Sequence, residues 1–207
     1  MNNHITVIFG HRGSGKTTFL FRNLESWKPF VLVDPLYDKK FETLNLHVLE
    51  TVTDALELFK NGSPQRVYIS PDLQTFDFFC GMCLAKRNIT MVIDEIDNYA
   101  TNYYISPMFK KVIKYGRHRG VNVVMVARRP KEMHPLIRSQ ASRFIIFPIS
   151  GEDVREMSEH IGPAASRLIT DLKIDDKGAD YIDYNFDARS YSVKRIEYCN
   201  SSYKNTL

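Results

Sequence analysis

Short β-branched runs alternate with helical periodicity along this chain, a pattern that predicts an α/β fold with a largely parallel sheet covered by helices. Ile5–Phe9 reads as the first strand, Phe30–Val33 as the second and His47–Leu49 as a short third. Further strands are expected at 67–69, Thr90–Ile93, 121–126 and 144–147. Helices are expected from the glycine-rich stretch after Phe9 to about residue 26, over 53–60 and over 108–115. Phe76, Phe79, Cys80, Cys83 and Leu84 recur at helical spacing, which puts them on one face of another helix. Ser150, with Asp153 three residues on, reads as the N-cap of a helix carrying Val154, Met157 and Ile161 inward. Gly162-Pro163 interrupts it, and 164–172 continues as a second helix. Two last runs, 181–184 and 191–196, flank a polar turn and predict a C-terminal β-hairpin.

No repeat or linker divides the pattern. The 207 residues, 43% of them hydrophobic, suffice for one α/β domain with a sizeable core. The expected organisation is a single domain over 1–207: a core over 4–172, the hairpin over 178–197 and a polar tail over 198–207. No apolar run approaches the ~20 residues of a membrane span. Met1-Asn2-Asn3-His4 does not open a secretory signal. With no export signal, three cysteines suggest a reducing compartment, and Cys80 and Cys83 fall on an apolar stripe, as core residues do. Net charge is +4, too mild to demand a polyanionic partner. Its placement is uneven, because Lys110, Lys111, Lys114, Arg117, His118 and Arg119 fall within ten residues.

The chemistry begins at Gly10-His11-Arg12-Gly13-Ser14-Gly15-Lys16-Thr17. A strand, then Gly-x-x-x-x-Gly-Lys-Thr, then a helix is a phosphate-cradling P-loop. The glycines let the backbone curl so that N–H groups point at phosphate, and the helix start adds its positive dipole end. Lys16 is expected to reach the β- and γ-phosphates of ATP, and Thr17 to offer its hydroxyl to Mg²⁺. The expected nucleotide-binding set runs from Gly10 through Thr18. His11 and Arg12 occupy its variable positions and face either phosphate or a neighbour.

The second motif is Met91-Val92-Ile93-Asp94-Glu95, an acidic pair at the end of an apolar strand. Carboxylates there are costly without a cation, and after a P-loop the cation is Mg²⁺. Asp94 is expected to hold the metal through water and Glu95 to polarise the attacking water, with Asp97 as a rival carboxylate. Asp34-Pro35 ends the second strand near the same place, either at the site or as a turn-starting Asp.

These residues resemble a known family. A Glu directly after the Walker B Asp marks the hydrolytic, RecA-like branch of P-loop proteins. The block from Gly116 to Pro130 resembles the FtsK/HerA motor ATPases: an Arg-x-x-Gly stretch, a core strand, then a Ser/Thr-Gln-Arg-Pro-like exit. The family's Pro-x-x-x-x-x-Gln pattern follows with one residue fewer, from Pro135 to Gln140. The early P-loop and the hairpin resemble the genome-packaging ATPases of icosahedral viruses with an internal membrane. The resemblance implies an ATP-hydrolysing, DNA-translocating ring, hexameric by family expectation, with Mg²⁺, double-stranded DNA and packaging-vertex or capsid proteins as partners. It places the protein in the virion and the host cytoplasm.

In that family an arginine from one subunit completes the next subunit's site. Arg117, at the Arg-x-x-Gly position, is the first candidate and Arg143 the second; each is otherwise a solvated or salt-bridged arginine. The family carries Gln where this chain has Arg128, at the γ-phosphate sensor. Arg128 can bind phosphate but cannot accept a hydrogen bond from water, so the sensor role departs from the pattern. The basic stretch 110–119 either lines a DNA channel or is a solvated face. Tyr99, Tyr103 and Tyr104, in the expected loop after Glu95, touch either nucleic acid or a neighbouring subunit. Other functions stay open. A virion-vertex assembly protein would bind nucleotide with little hydrolysis, a small-molecule kinase would need a lid not evident here, and a filamentous-phage assembly ATPase would need a membrane span.

Overall fold

The computed structural model describes residues 4–36, 41, 43–62 and 65–198. Among them one sheet contains β1 (Ile5–Phe9), β2 (Phe30–Val33), β3 (His47–Leu49), β4 (Arg66–Ile69) and β5 (Thr90–Ile93). It continues with β6 (Asn122–Ala127), β7 (Arg143–Ile146), β8 (Ile174–Asp175), β9 (Gly178–Asn185) and β10 (Ser190–Glu197). Across the sheet the order is β10-β9-β7-β1-β6-β5-β2-β4-β3, with β8 beside β9. The seven strands from β7 to β3 are parallel, and β9 is antiparallel to β7, β8 and β10. The expected mixed α/β architecture with a mostly parallel sheet is present, and the hairpin extends the same sheet.

Strand side chains alternate between two cores, as the period of two requires. Ile5, Val7 and Phe9 of β1 pack on one face with α3 (Leu73–Lys86), α4 (Pro107–Tyr115), α5 (Pro135–Gln140) and α6 (Gly151–Arg167). α2 (Val52–Asn61) adds Ala55 to that face. Ile8, Val92, Val124 and Ile145 line the other face, against Phe19 and Leu20 of α1 (Lys16–Asn23). Cys80 and Cys83 are fully buried in the first core, and burial raises both thiols, Cys83 to about 12.

Helix ends follow local chemistry. Thr51 and Asp54 form a reciprocal capping box on α2, and Ser150 accepts the Asp153 amide at the start of α6. Gly162, at φ 81°, breaks α6 where expected. The first helix ends earlier than its periodicity predicts, turning into a 3-10 segment at Leu24–Trp27. The sequence pattern gave no helix for α5, whose six residues are too few to show a period.

One expectation is overturned. Tyr99 is 2% exposed, stacks on Phe76 at 3.9 Å between ring centroids and donates its hydroxyl to the Pro71 carbonyl at 2.8 Å. It is a core residue and cannot touch nucleic acid; Tyr103 and Tyr104 are the exposed pair. The expected polar tail, beyond Tyr198, lies outside the described residues.

Candidate nucleotide site

The site forms where three parallel strands end side by side. Phe9 of β1 pairs with Ala127 of β6, so Gly10 and Arg128 leave the sheet together. On the other side of β6, Ile93 of β5 pairs with Met125, so Asp94 and Glu95 emerge beside the same exit. Ligands of parallel sheets bind at this carboxyl end.

The loop after β1 turns through Gly13 at φ 77° and Gly15 at φ 101°, conformations that a side chain would strain. Gly15 is the N-cap of α1 and has no side chain to cover the first-turn amides, which leaves them for an anion. Thr17 and Thr18 lie in that turn, half-buried. The Lys16 ammonium folds back over the loop, donating to the Gly10 carbonyl at 2.7 Å and the His11 carbonyl at 2.9 Å. Burial lowers its pKa, opposed by Asp94 and Glu95. Two members of the expected set are used differently. The His11 amide donates to the Pro148 carbonyl at 3.1 Å and the Ser14 amide to the His11 carbonyl at 3.2 Å. Those two amides shape the loop rather than line it. Arg12 is exposed.

Four carboxylates gather opposite the loop. Asp34, 1% exposed, accepts from the Tyr68 hydroxyl at 3.1 Å and the Leu36 amide at 2.9 Å, so it serves the turn and the site together. Burial, then Asp34 and Glu95, raises the Asp94 pKa to about 6. Glu95 sits in a left-handed turn at φ 52°, ψ 61°, held by hydrogen bonds from Asn98 to its carbonyl. A left-handed non-glycine residue costs on the order of 1–3 kcal/mol and collects at functional sites. Its carboxylate is bonded to Arg128: Nη2 lies 2.8 Å from one oxygen and 2.7 Å from the other. The Arg128 amide in turn donates to Asp97 at 3.2 Å, while the other Asp97 oxygen is buried without a partner.

This cluster has more negative than positive charge, which is what a divalent cation would correct. Among the described residues no group of three or more His, Cys, Asp or Glu could hold a metal unaided. Mg²⁺ keeps several waters and takes one or two protein ligands plus phosphate oxygens, so it does not require such a group.

Asp97 supports a stability prediction. Burial raises its folded pKa to about 6, above the usual 3.8. Between those values the folded state binds more protons than the unfolded, so stability is highest below the lower value and falls as pH rises to about 6. Asp97→Asn keeps the acceptor for Arg128 and removes the buried charge. In nucleotide-free protein at neutral pH it is expected to stabilise by on the order of 1 kcal/mol. Its midpoint gap between mildly acidic and neutral pH should also narrow, as urea titrations would report; Asp94 maintains the remainder.

No family model and no curated protein matches the chain. Solved structures do. The genome-packaging NTPase B204 of Sulfolobus turreted icosahedral virus 2, in complex with ATPγS, superposes with a TM-score of 0.76 at 17% identity, covering 93% of this chain and 98% of that one. B204 of Sulfolobus turreted icosahedral virus, described as a DNA-packaging ATPase, gives 0.75 at 18% identity over 93% and 98%. The N-terminal domain of zonular occludens toxin from Neisseria meningitidis gives 0.51 at 14% identity over 96% and 95%. The chain has a P-loop NTPase fold.

On this P-loop NTPase frame the two arginine candidates lie far from the loop. Arg117 is exposed in the 3-10 turn Gly116–Arg119, before β6, at the amino end of the parallel strands. Arg143 opens β7 at the same end and is engaged within its own chain. Its Nε and Nη2 donate to the two Asp183 oxygens at 2.7 and 2.8 Å, and Lys194 joins at 2.5 Å. A groove of about 490 Å³ opens beside this cluster, with Thr6, Thr90 and Val124 on its wall. None of the phosphate-loop residues lines it, so this groove is separate from the candidate nucleotide site.

Sequence reasoning read Arg129 only as part of the Gly116–Pro130 block and missed its partners. It bonds the buried Asp153 carboxylate at 3.2 Å and Glu152 at 3.1 Å, tying the β6 exit to the start of α6. The only signal was an acidic first turn on α6, which reads as ordinary helix-end chemistry.

Proposed function

We propose that this chain is an ATP-hydrolysing motor subunit that moves double-stranded DNA into a viral capsid. The observation that carries the reading is Glu95, a carboxylate in a strained turn next to Asp94, on a strand separated from that of the phosphate loop by β6 alone. The fold shared with a DNA-packaging ATPase supports the same reading.

In the proposed reaction the ATP phosphates lie against the first turn of α1. Lys16 moves from the loop carbonyls to the β- and γ-phosphates. Glu95 takes a proton from water as that water's oxygen attacks the γ-phosphorus in line and the bond to the β-phosphate oxygen breaks. Mg²⁺, when bound, neutralises phosphate charge; Thr17 and, through water, Asp94 would hold it. Arg117 cannot serve its own site from the far end of the sheet, which suits a residue acting on the next subunit. Such a finger typically gives ~10³–10⁵ in rate.

Lys110, Lys111, Lys114, Arg117, His118 and Arg119 are all exposed, and no ion pair holds any of them among the described residues. α4 turns Phe109, Val112 and Ile113 inward, so its lysines are left facing water and available to DNA phosphates. No helix among the described residues is long and apolar enough to cross a membrane.

The test is phosphate release per subunit against protein concentration, with and without duplex DNA. The rate is expected to rise with both and to lose its DNA response as salt increases. A rate that ignores concentration and DNA would sink the ring motor. One observation favours a second reading, a vertex assembly protein that binds nucleotide with little turnover: the Arg128 contact occupies Glu95. Nucleotide binding with no phosphate release under any of these conditions would decide for it.

A further inference from the structure

Glu95 and Arg128 come from different strands and meet in front of the phosphate loop. The Glu95 side chain is 22% exposed and the Arg128 side chain 62% exposed. The guanidinium therefore reaches its partner from open solvent and is not packed in place. Its backbone is fixed, because Ala127 pairs with Phe9 and the Arg128 amide is tied to Asp97. The side chain thus has one root, next to Gly10, and two anions within its compass: the Glu95 carboxylate, and any phosphate seated at the start of α1. Electrostatic coupling of Lys16 to Arg128, Asp94 and Glu95 puts all four groups in one field.

We propose that Arg128 exchanges partners during turnover, leaving Glu95 for the γ-phosphate when ATP binds and returning to Glu95 when only ADP remains. The inference rests on the nucleotide reading of the site and goes beyond it by assigning the contact that discriminates the triphosphate. In the resting arrangement both Glu95 oxygens share one guanidinium nitrogen, whose positive charge favours the ionised carboxylate and so weakens it as a base toward water. A γ-phosphate carries more negative charge than a carboxylate and draws the guanidinium away. That movement frees Glu95 at the moment its substrate is present. Arginine suits this exchange where glutamine would not, since its fixed charge binds either anion and never titrates. The outcome is a base that is weakened in the empty and ADP-bound states and released when the triphosphate is present.

Equilibrium binding of ADP and ATPγS and the steady-state ATPase rate test the exchange in wild type, Arg128→Gln, Glu95→Gln and the double variant. Arg128→Gln is expected to weaken ATPγS by about 10-fold, the worth of a charge-assisted hydrogen bond, with ADP unchanged and kcat lowered. The same loss should appear when Arg128→Gln is added to Glu95→Gln, where no carboxylate is left to repel phosphate. A kcat that rises in Arg128→Gln would overturn the proposal, because a clamp that never leaves Glu95 would be relieved by the change. Equal losses for ADP and ATPγS would overturn it too. Lys16→Ala distinguishes a failure of the site itself: if it binds both nucleotides as wild type does, the P-loop reading falls and the exchange falls with it.

Discussion

Glu95→Gln is expected to lower ATP turnover by ~10²–10⁴-fold, the usual contribution of a positioned general base, while ATP still binds. The amide keeps the shape and loses the ability to take the proton. Rapid-quench measurement of bound ATP conversion separates the two effects, since trapped, unhydrolysed ATP is the expected state. Asp97 is the competing base, half-buried at the same strand exit with one buried, unpartnered oxygen. If Glu95→Gln turns over like wild type and Asp97→Asn does not, the role belongs to Asp97. The left-handed turn at Glu95 argues against that outcome, because a strained backbone persists only where something fixes it.

Asp183→Ala is expected to destabilise the fold by ~1–3 kcal/mol, the discounted cost of stranding two half-exposed cations. Arg143 and Lys194 both converge on this carboxylate, which is 9% exposed. Burial pushes its pKa up, but the hydrogen bonds from Arg143 and Lys194 outweigh that, and the net shift is downward. A carboxyl lowered on folding contributes stability above its unfolded pKa, near 4, and loses it as pH falls through the folded value. The loss should therefore be full at neutral pH and shrink in acid, as guanidinium titrations would show. Arg143→Ala should copy much of this effect without removing the concentration dependence of ATPase. A stable Arg143→Ala protein with that dependence abolished would instead restore Arg143 as the trans arginine.

The P-loop was legible because everything it needs is contiguous: β1, the glycine pattern and the start of α1 span residues 5–23. Asp94-Glu95 was legible for the same reason, as a strand followed by its acidic end. What failed to show is what depends on register. Glu95 and Arg128 are 33 residues apart and meet only because β6 pairs in parallel with β5. Arg143 and Asp183 meet only because β9 returns antiparallel to β7. Tyr99 looked like part of an exposed aromatic loop because its burial is decided by Phe76 on a helix over 20 residues earlier. α5 was hidden by length, having room for little more than one turn and a half.

The strand direction that puts Gly10 and Arg117 at opposite ends of the sheet also limits how copies of this chain can associate. β1 spans five residues and β6 six, so the two ends are separated by ~15–20 Å of strand. A twofold pair could join each phosphate loop to the partner's far-end arginine only if both ends lay within one shared face, with the two copies side by side and antiparallel. If Arg117 instead completes a neighbour's site end to end, the contacts are head-to-tail, and such contacts either close into a ring or propagate as a filament. Closure would then be a matter of rotation angle alone, set where the basic turn of one copy meets the strand ends of the next.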